Sequence, residues 1–345
     1  MFGSEAALAD PVRVGLIGAG RIGASHATLL ARRVPGARLT VVADPRPGVA
    51  ERLAAPLGCR AVDSAEKLFA DTDIEAVVIA ASSQVHADLV VAAARAGKAV
   101  FCEKPMGMDL DEIDRGIAAA ESAGVPLQVG FNRRFATDFA AAHRLVVEGA
   151  VGTPQLMRSV TRDPGLADPS AVPPWTIFTQ TLIHDFDTLL WLNPGAEPVS
   201  VYATADALVA PSFKHAGLLD TAVVVVTFDN GAIAVAEASF SASYGYDVRG
   251  EVFGSRGMTT VGESARTSMR HSDSTGRHAE TIRGDVELFL EAYTAEFVEF
   301  TDAVRQQRRP SVTGEDARRA LVLALAAVES VKTGAPVPVE KVDVR

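Results

Sequence analysis

His184, Asp185 and Asp187, in the stretch IFTQTLIHDFDTLLWL (177 to 192), put an imidazole and two carboxylates into the start of an otherwise apolar helical pattern, with Gln180 one turn before the histidine. Lys104, with Glu103 beside it, follows an apolar run in KAVFCEKP (98 to 105). Oxidising a secondary alcohol needs such groups: a base within reach of the hydroxyl, a donor that orients it, and a hydride acceptor over the carbon. His184, with an unperturbed pKa of about 6.5, takes a proton at neutral pH, whereas Lys104 needs desolvation to come down from about 10.4. His184 is the expected base and Lys104 the expected hydroxyl-orienting partner. The bland readings are a packed histidine at a helix start and a lysine ending a strand in solvent.

The hydride acceptor is expected at GAGRIG, which supplies Gly18, Gly20 and Gly23 directly after an apolar run and at the mouth of a helix. Gly18 makes a tight turn, Gly20 lets the backbone approach a pyrophosphate, and Gly23 lets the helix pack on the strand. The helix start offers free N–H groups to the anion. Arg21 and Ile22 lie inside the motif and count with it as cofactor-binding, as do Glu103 and Lys104. Asp44 stands 21 residues past Gly23, at the end of the next apolar run. There it is placed to accept hydrogen bonds from ribose hydroxyls and to repel a 2′-phosphate, which favours NAD. Arg46 could bind that phosphate, so NADP is the alternative. His86 opens a helix after the fourth strand, as a cofactor contact or as a cap.

Groups at these spacings need a doubly wound sheet to hold them. VRVGLIG (12 to 18), LTVVAD (39 to 44), EAVVIAA (75 to 81), KAVFCEK (98 to 104) and PLQVGF (126 to 131) read as parallel strands with helices between. Asp109 followed by Glu112 forms a capping pair for the helix after Lys104. Beyond about residue 150, VYATADALVA, TAVVVVTFDN, AIAVAEASFSA and DVRGEVFGS are strands with short connections, and Asp229-Asn230-Gly231 is a hairpin signal. The expected fold class is α/β: a Rossmann dinucleotide-binding domain over 1–132, then an α+β domain over 133–345 with a largely antiparallel, open-faced sheet. Its helices are expected at 181 to 193, 286 to 306 and 314 to 332.

The chain has 345 residues, enough for two cores. Its formal charge of -10 and lack of a dense Lys/Arg run exclude nucleic acid and anionic membrane as main partners. No apolar run reaches the roughly 18 residues of a membrane span, and the N-terminal stretch lacks a basic start before an apolar block. A cytoplasmic protein is expected. Cys59 and Cys102 are too few for a disulfide framework or a metal knot, so no metal is expected. Cys102 reads as packed rather than reactive.

Taken in order, GLIGAGRIGASHA, EKPMGMDLDE, VGFNRRF, RDPG and IHDFD resemble the glucose-fructose oxidoreductase/inositol dehydrogenase (Gfo/Idh/MocA) family, most closely its myo-inositol 2-dehydrogenase branch. The resemblance implies that Lys104 and His184 face each other across the substrate. It further implies that Asp187 binds a substrate hydroxyl, that Asp163 and Tyr244 line the pocket with Tyr246 competing for the latter's role, and that Lys104-Pro105 is cis. The implied activity is NAD-dependent oxidation of a cyclic polyol such as an inositol or a sugar.

One position departs from that pattern. The resembled enzymes carry an aspartate where this chain has Gln180, and an amide orients an imidazole without stabilising its charged form. PPWTIFT replaces the small residues before it, putting Trp175 and Phe178 near the pocket mouth. Two alternatives follow: an NADP-dependent sugar dehydrogenase or reductase, and a catalytically impaired cofactor-binding sensor. Arg133 and Arg134 either anchor an anionic substrate or join the domains. The run AVVVVTF (222 to 228) has no polar face, so a homotetramer or dimer through the second-domain sheets is expected.

Overall fold

The structure is a computed structural model and describes residues 10–165, 168, 172–216, 218–262 and 265–343. The chain divides into two compact units, residues 1–131 with 291–317 and residues 132–290 with 318–345. The segment 291–317 thus belongs with the dinucleotide fold, although in sequence it lies between the second unit's strands and that unit's last strand at Val337–Pro338.

The first unit alternates strand and helix: β1 (Val12–Ile17), α1 (Arg21–Arg32), β2 (Ala37–Ala43), α2 (Val49–Ala54), β3 (Arg60–Val62), α3 (Ala65–Phe69), β4 (Ala76–Ile79), α4 (His86–Arg95), β5 (Ala99–Cys102), α5 (Leu110–Ala123) and β6 (Leu127–Val129). All its pairings are parallel, in the order β3-β2-β1-β4-β5-β6. The order reverses between β1 and β4, which opens a crevice at their carboxyl ends. β4 and β5 are buried along their whole length, which is why they read as unbroken apolar runs. The Asp109 carboxylate caps α5 by accepting from the Glu112 N–H at 2.7 Å. Gly124, with φ of 64°, ends it.

The second unit holds α6 (Thr137–Val147), β7 (Pro154–Arg162), α7 (Leu182–Trp191), β8 (Pro198–Asp206), β9 (Thr221–Phe228), β10 (Ile233–Ser239), β11 (Asp247–Gly254), β12 (Gly257–Val261), a ribbon of β13 (His271–Asp273) and β14 (Gly276–His278), and the one-turn α8 (Asp285–Leu288). α9 (Leu290–Gln306) then returns to the first unit, and α10 (Gly314–Thr333) leads to β15 (Val337–Pro338). The seven-stranded sheet runs β12-β11-β7-β10-β9-β8-β15, antiparallel except where β10 pairs β7. The turn at 229–231 joins β9 to β10 as a hairpin.

Two sequence expectations need correction, and one strand went unforeseen. The strand read over 201–210 ends at Asp206, whose backbone carbonyl accepts from Asp220 N as the chain turns away. The helix read over 286–306 is two helices, broken at Phe289. β7 was not foreseen, because Arg158 and Arg162 interrupt its apolar pattern. On the exposed face, Arg158 and Arg162 both pair with Glu237 of β10. The run 222–228 alternates in burial: Ala222, Val224, Val226 and Phe228 are buried, and Val223, Val225 and Thr227 form the outer face. α7 and β7 meet on the inner face, where Met157, Ser159 and Thr161 are buried. Among the described residues, no helix is long and apolar enough to cross a membrane.

Candidate active site

In the first unit the glycine loop has the geometry of a phosphate cradle. Gly18 has φ of 95°, and a side chain there would strike the Ala80 carbonyl at 2.6 Å. A side chain at Gly23 would lie 1.8 Å from the Gly18 carbonyl oxygen, whereas one at Gly20 would meet nothing within 4 Å. Gly18 and Gly23 thus serve the turn and the packing. Gly20 opens onto free space at the start of α1, where an anion can approach the helix N–H groups. The residues present fit a dinucleotide.

Asp44 is buried at the end of β2. Its Oδ2 accepts from the Ala19 N–H at 2.8 Å, which ties the carboxylate to the glycine loop. The Arg46 guanidinium closes over it, Nε to Oδ1 at 2.9 Å and Nη2 to Oδ2 at 2.8 Å. The Arg46 hydrogen bond, helped by the backbone donors, lowers the Asp44 pKa to about 2 against the opposing effect of burial. The acid is ionised, and Arg46 engages both of its oxygens, so any ribose hydroxyl there must share a carboxylate already bound.

Lys104 is half-buried at the end of β5, and its peptide bond to Pro105 is cis. His86, the first residue of α4, is buried and is not that helix's N-cap, which is Val85: its Nδ1 lies 2.8 Å from the Pro105 carbonyl and its Nε2 3.1 Å from that of Ala81. The ring thereby holds the segment after Lys104. Glu103 is turned inward, 2.5 Å from His26 Nε2.

In the second unit, the polar start of α7 sorts by burial. Asp185 is fully buried, where it takes Arg133 Nη1 at 2.8 Å, Ser159 Oγ at 2.5 Å and Thr161 Oγ1 at 2.7 Å. Asp187 is equally buried and held by Arg134. Any substrate contact of Asp187 must share a carboxylate already bound at both oxygens. Among residues 182–191 only His184 and Trp191 escape full burial. The two acids therefore fix the helix, and His184 is its accessible ionisable group. The turn before it is a π-helix over Ile177–Thr181 that carries half-buried Gln180. Such widened turns are often found at functional sites. Trp175, at φ of 64°, lies under the Lys332 ammonium at 5.3 Å, while Phe178 is fully buried.

Tyr244 and Tyr246 part company because Gly245, at φ of 141°, turns the chain between them. Tyr244 is exposed and donates to Asp247 at 2.6 Å. Tyr246 instead donates to Asp163, and burial, with the Asp163 and Asp285 charges, pushes its phenol well above the ordinary value. The structure thus places Tyr246, not Tyr244, beside Asp163. Sequence reasoning missed His26 and Glu296, which join Glu103 in the core; a lone histidine and a lone glutamate on helices carry no spacing signal.

These features agree with known proteins. Residues 12–131 match the profile of an oxidoreductase family with an NAD-binding Rossmann fold, and residues 139–260 match a GFO/IDH/MocA C-terminal domain. The chain is 36% identical to a myo-inositol 2-dehydrogenase of Thermotoga maritima over 340 residues, covering 96% of this chain and 99% of the relative. It is 35% identical to a scyllo-inositol 2-dehydrogenase (NAD(+)) of Bacillus subtilis, covering 95% and 96%. The crystal structure of a scyllo-inositol dehydrogenase from Lactobacillus casei with bound NAD(H) and scyllo-inositol superposes with a TM-score of 0.91 at 27% identity, covering 96% of this chain and 100% of that one.

Proposed function

Because the chain belongs to the Gfo/Idh/MocA oxidoreductase family, we propose that it oxidises a secondary hydroxyl of a cyclic polyol, an inositol or related cyclitol or sugar, with NAD. The observation that carries this reading is the sorting of α7, which locks Asp185 and Asp187 inside and leaves His184 accessible. When bound, NAD supplies the hydride acceptor. Gly18, Gly20, Arg21, Ile22 and Gly23 hold its pyrophosphate and Asp44 its adenosine ribose. His184 takes the hydroxyl proton and Lys104 orients the hydroxyl. Asp163, paired with Tyr246, and Gln180 contact further substrate hydroxyls.

The test is the rate of NAD reduction on a panel of inositols, aminocyclitols and pyranoses. At least one cyclitol is turned over, and His184→Ala lowers kcat by roughly 10²–10⁴. No turnover of any polyol, or full activity of His184→Ala, would sink the assignment.

The exposed face of the second sheet supports self-association. Met258, Phe253, Leu156 and Ile233 are cross-strand neighbours in one row across β12, β11, β7 and β10, and they are 53%, 45%, 45% and 44% exposed. Val225 and Val235 pair in the adjacent row. Such a stripe favours burial against a second copy, as a dimer or tetramer. We place the protein in the cytoplasm, where its two unpaired cysteines stay reduced.

A further inference from the structure

His26 of α1, Glu103 at the end of β5 and Glu296 of α9 bring one imidazole nitrogen and two carboxylate oxygens within 4.8 Å of one another. All three are buried. Glu103 divides its oxygens: Oε1 lies 2.5 Å from His26 Nε2, and Oε2 accepts from the backbone N–H of Lys104 at 3.2 Å. Neither oxygen of Glu296 has a hydrogen-bond partner, and neither has His26 Nδ1. Gln128 donates to the backbone carbonyl of Glu296 at 2.9 Å, not to its carboxyl. The rings of Phe101, Tyr293 and Phe297 flank His26, with centroids 6.3, 5.3 and 4.9 Å from its own.

Two buried carboxyls this close disfavour double ionisation, so one keeps its proton. Burial, together with the charge on Glu103, pushes the Glu296 carboxyl well above its ordinary range. Burial also opposes ionisation of Glu103, but the His26 hydrogen bond and the charges of His26, Lys104 and His86 outweigh it and hold that carboxyl below its ordinary value. Among the described residues, the titratable groups facing the cluster are His26 and His86 from α1 and α4, Cys102 and Lys104 on either side of Glu103, and Glu296 and Tyr293 from α9.

We propose that His26, Glu103 and Glu296 form a buried positioning triad for Lys104. In it Glu103 carries the one negative charge, grips the Lys104 backbone and acts on its ammonium through that charge, and Glu296 is an uncharged neighbour that lets the charge stay there. The proposal rests on the reading that Lys104 works on the substrate. Gly130 offers an independent lever, because a side chain there would lie 3.2 Å from the Glu103 carboxyl carbon and from Oε2.

The experiment compares Glu296→Gln, Glu103→Gln and Gly130→Ala in the full-length protein. Infrared spectroscopy of the unsubstituted protein at pH 7 shows the carbonyl band of a protonated carboxylic acid, and the band disappears in Glu296→Gln. Glu296→Gln, which keeps shape and neutrality, retains kcat within about twofold and an unchanged pH–rate profile. Glu103→Gln lowers kcat at least tenfold with NAD affinity unchanged, and the limb reporting Lys104 moves to lower pH by about one unit, because an anion that favours its ammonium is gone. Gly130→Ala lowers kcat without moving that limb. The triad is overturned by absence of the band, by Glu296→Gln shifting the profile as Glu103→Gln does, or by Glu103→Gln and Gly130→Ala leaving kcat intact. The infrared result needs no turnover, so it tests the triad even if every polyol is refused.

Discussion

Arg134 clasps Asp187 at two points, Nε to Oδ2 at 3.0 Å and Nη2 to Oδ1 at 2.6 Å, with the carboxylate almost wholly out of solvent. The fork fits the carboxylate plane in a way a lysine cannot. Removing one partner of such a pair strands a buried charge. Arg134→Ala should therefore destabilise the protein by about 3–5 kcal/mol, read from urea unfolding. Arg134→Lys should recover part of that loss. A change under about 1 kcal/mol in Arg134→Ala would mean that the pair is dispensable.

The tether from Asp44 to Ala19 and Arg46 predicts both cofactor choice and acid sensitivity. NAD should bind more tightly than NADP, and Asp44→Ala should narrow the gap by weakening NAD, as followed by fluorescence titration. The folded-state value of about 2 lies below the roughly 3.9 of an unfolded aspartate. Its stabilisation is present above pH ~4 and is lost as pH falls through about 2. The melting temperature of the unsubstituted protein should thus fall more steeply than that of Asp44→Asn across this window. Equal affinity for the two nucleotides would show that Arg46 dominates the site.

Gln180 sits in the π-turn, one helical turn before His184, where an amide can orient the ring without stabilising its charge. Oxidation of myo-inositol should be slow at neutral pH and improve as pH rises. Gln180→Asp should raise the neutral rate at least tenfold if that substrate fits. On a modified cyclitol that the amide recognises, the same change should lower turnover. Fast myo-inositol oxidation at pH 7, unaltered by Gln180→Asp, would refute a limiting role for the missing carboxylate.

The apolar row on the second sheet predicts an assembly that one charge can split. Ile233→Glu or Phe253→Glu should shift sedimentation toward the monomer at micromolar concentration, because each puts a carboxylate into the face a second copy would bury. A native protein that already sediments as a monomer removes the prediction.

The glycine loop, the alternation of strand and helix and the acid at the end of β2 were legible in the sequence because their signals are local. A left-handed turn demands Gly18, and a strand buried on both faces reads as an unbroken apolar run. The proposed role of His184 came from its type and spacing, and the structure adds that it is not fully buried while Asp185 and Asp187 are. The charged strand β7 was not, since Arg158 and Arg162 mask its period until Glu237 of a neighbouring strand faces them.

The sequence alone determined the order of elements, the family and the residue types able to bind NAD and move a proton, all carried by short-range patterns. Tertiary structure decided which polar groups are spent on holding the fold. Arg134 meets Asp187 across 53 residues and His26 meets Glu103 across 77, and no local period encodes such distances. The same packing turned Tyr246 toward Asp163 and Tyr244 toward Asp247. A buried ionisable group must find its partner wherever the chain brings one, and only the folded core selects it.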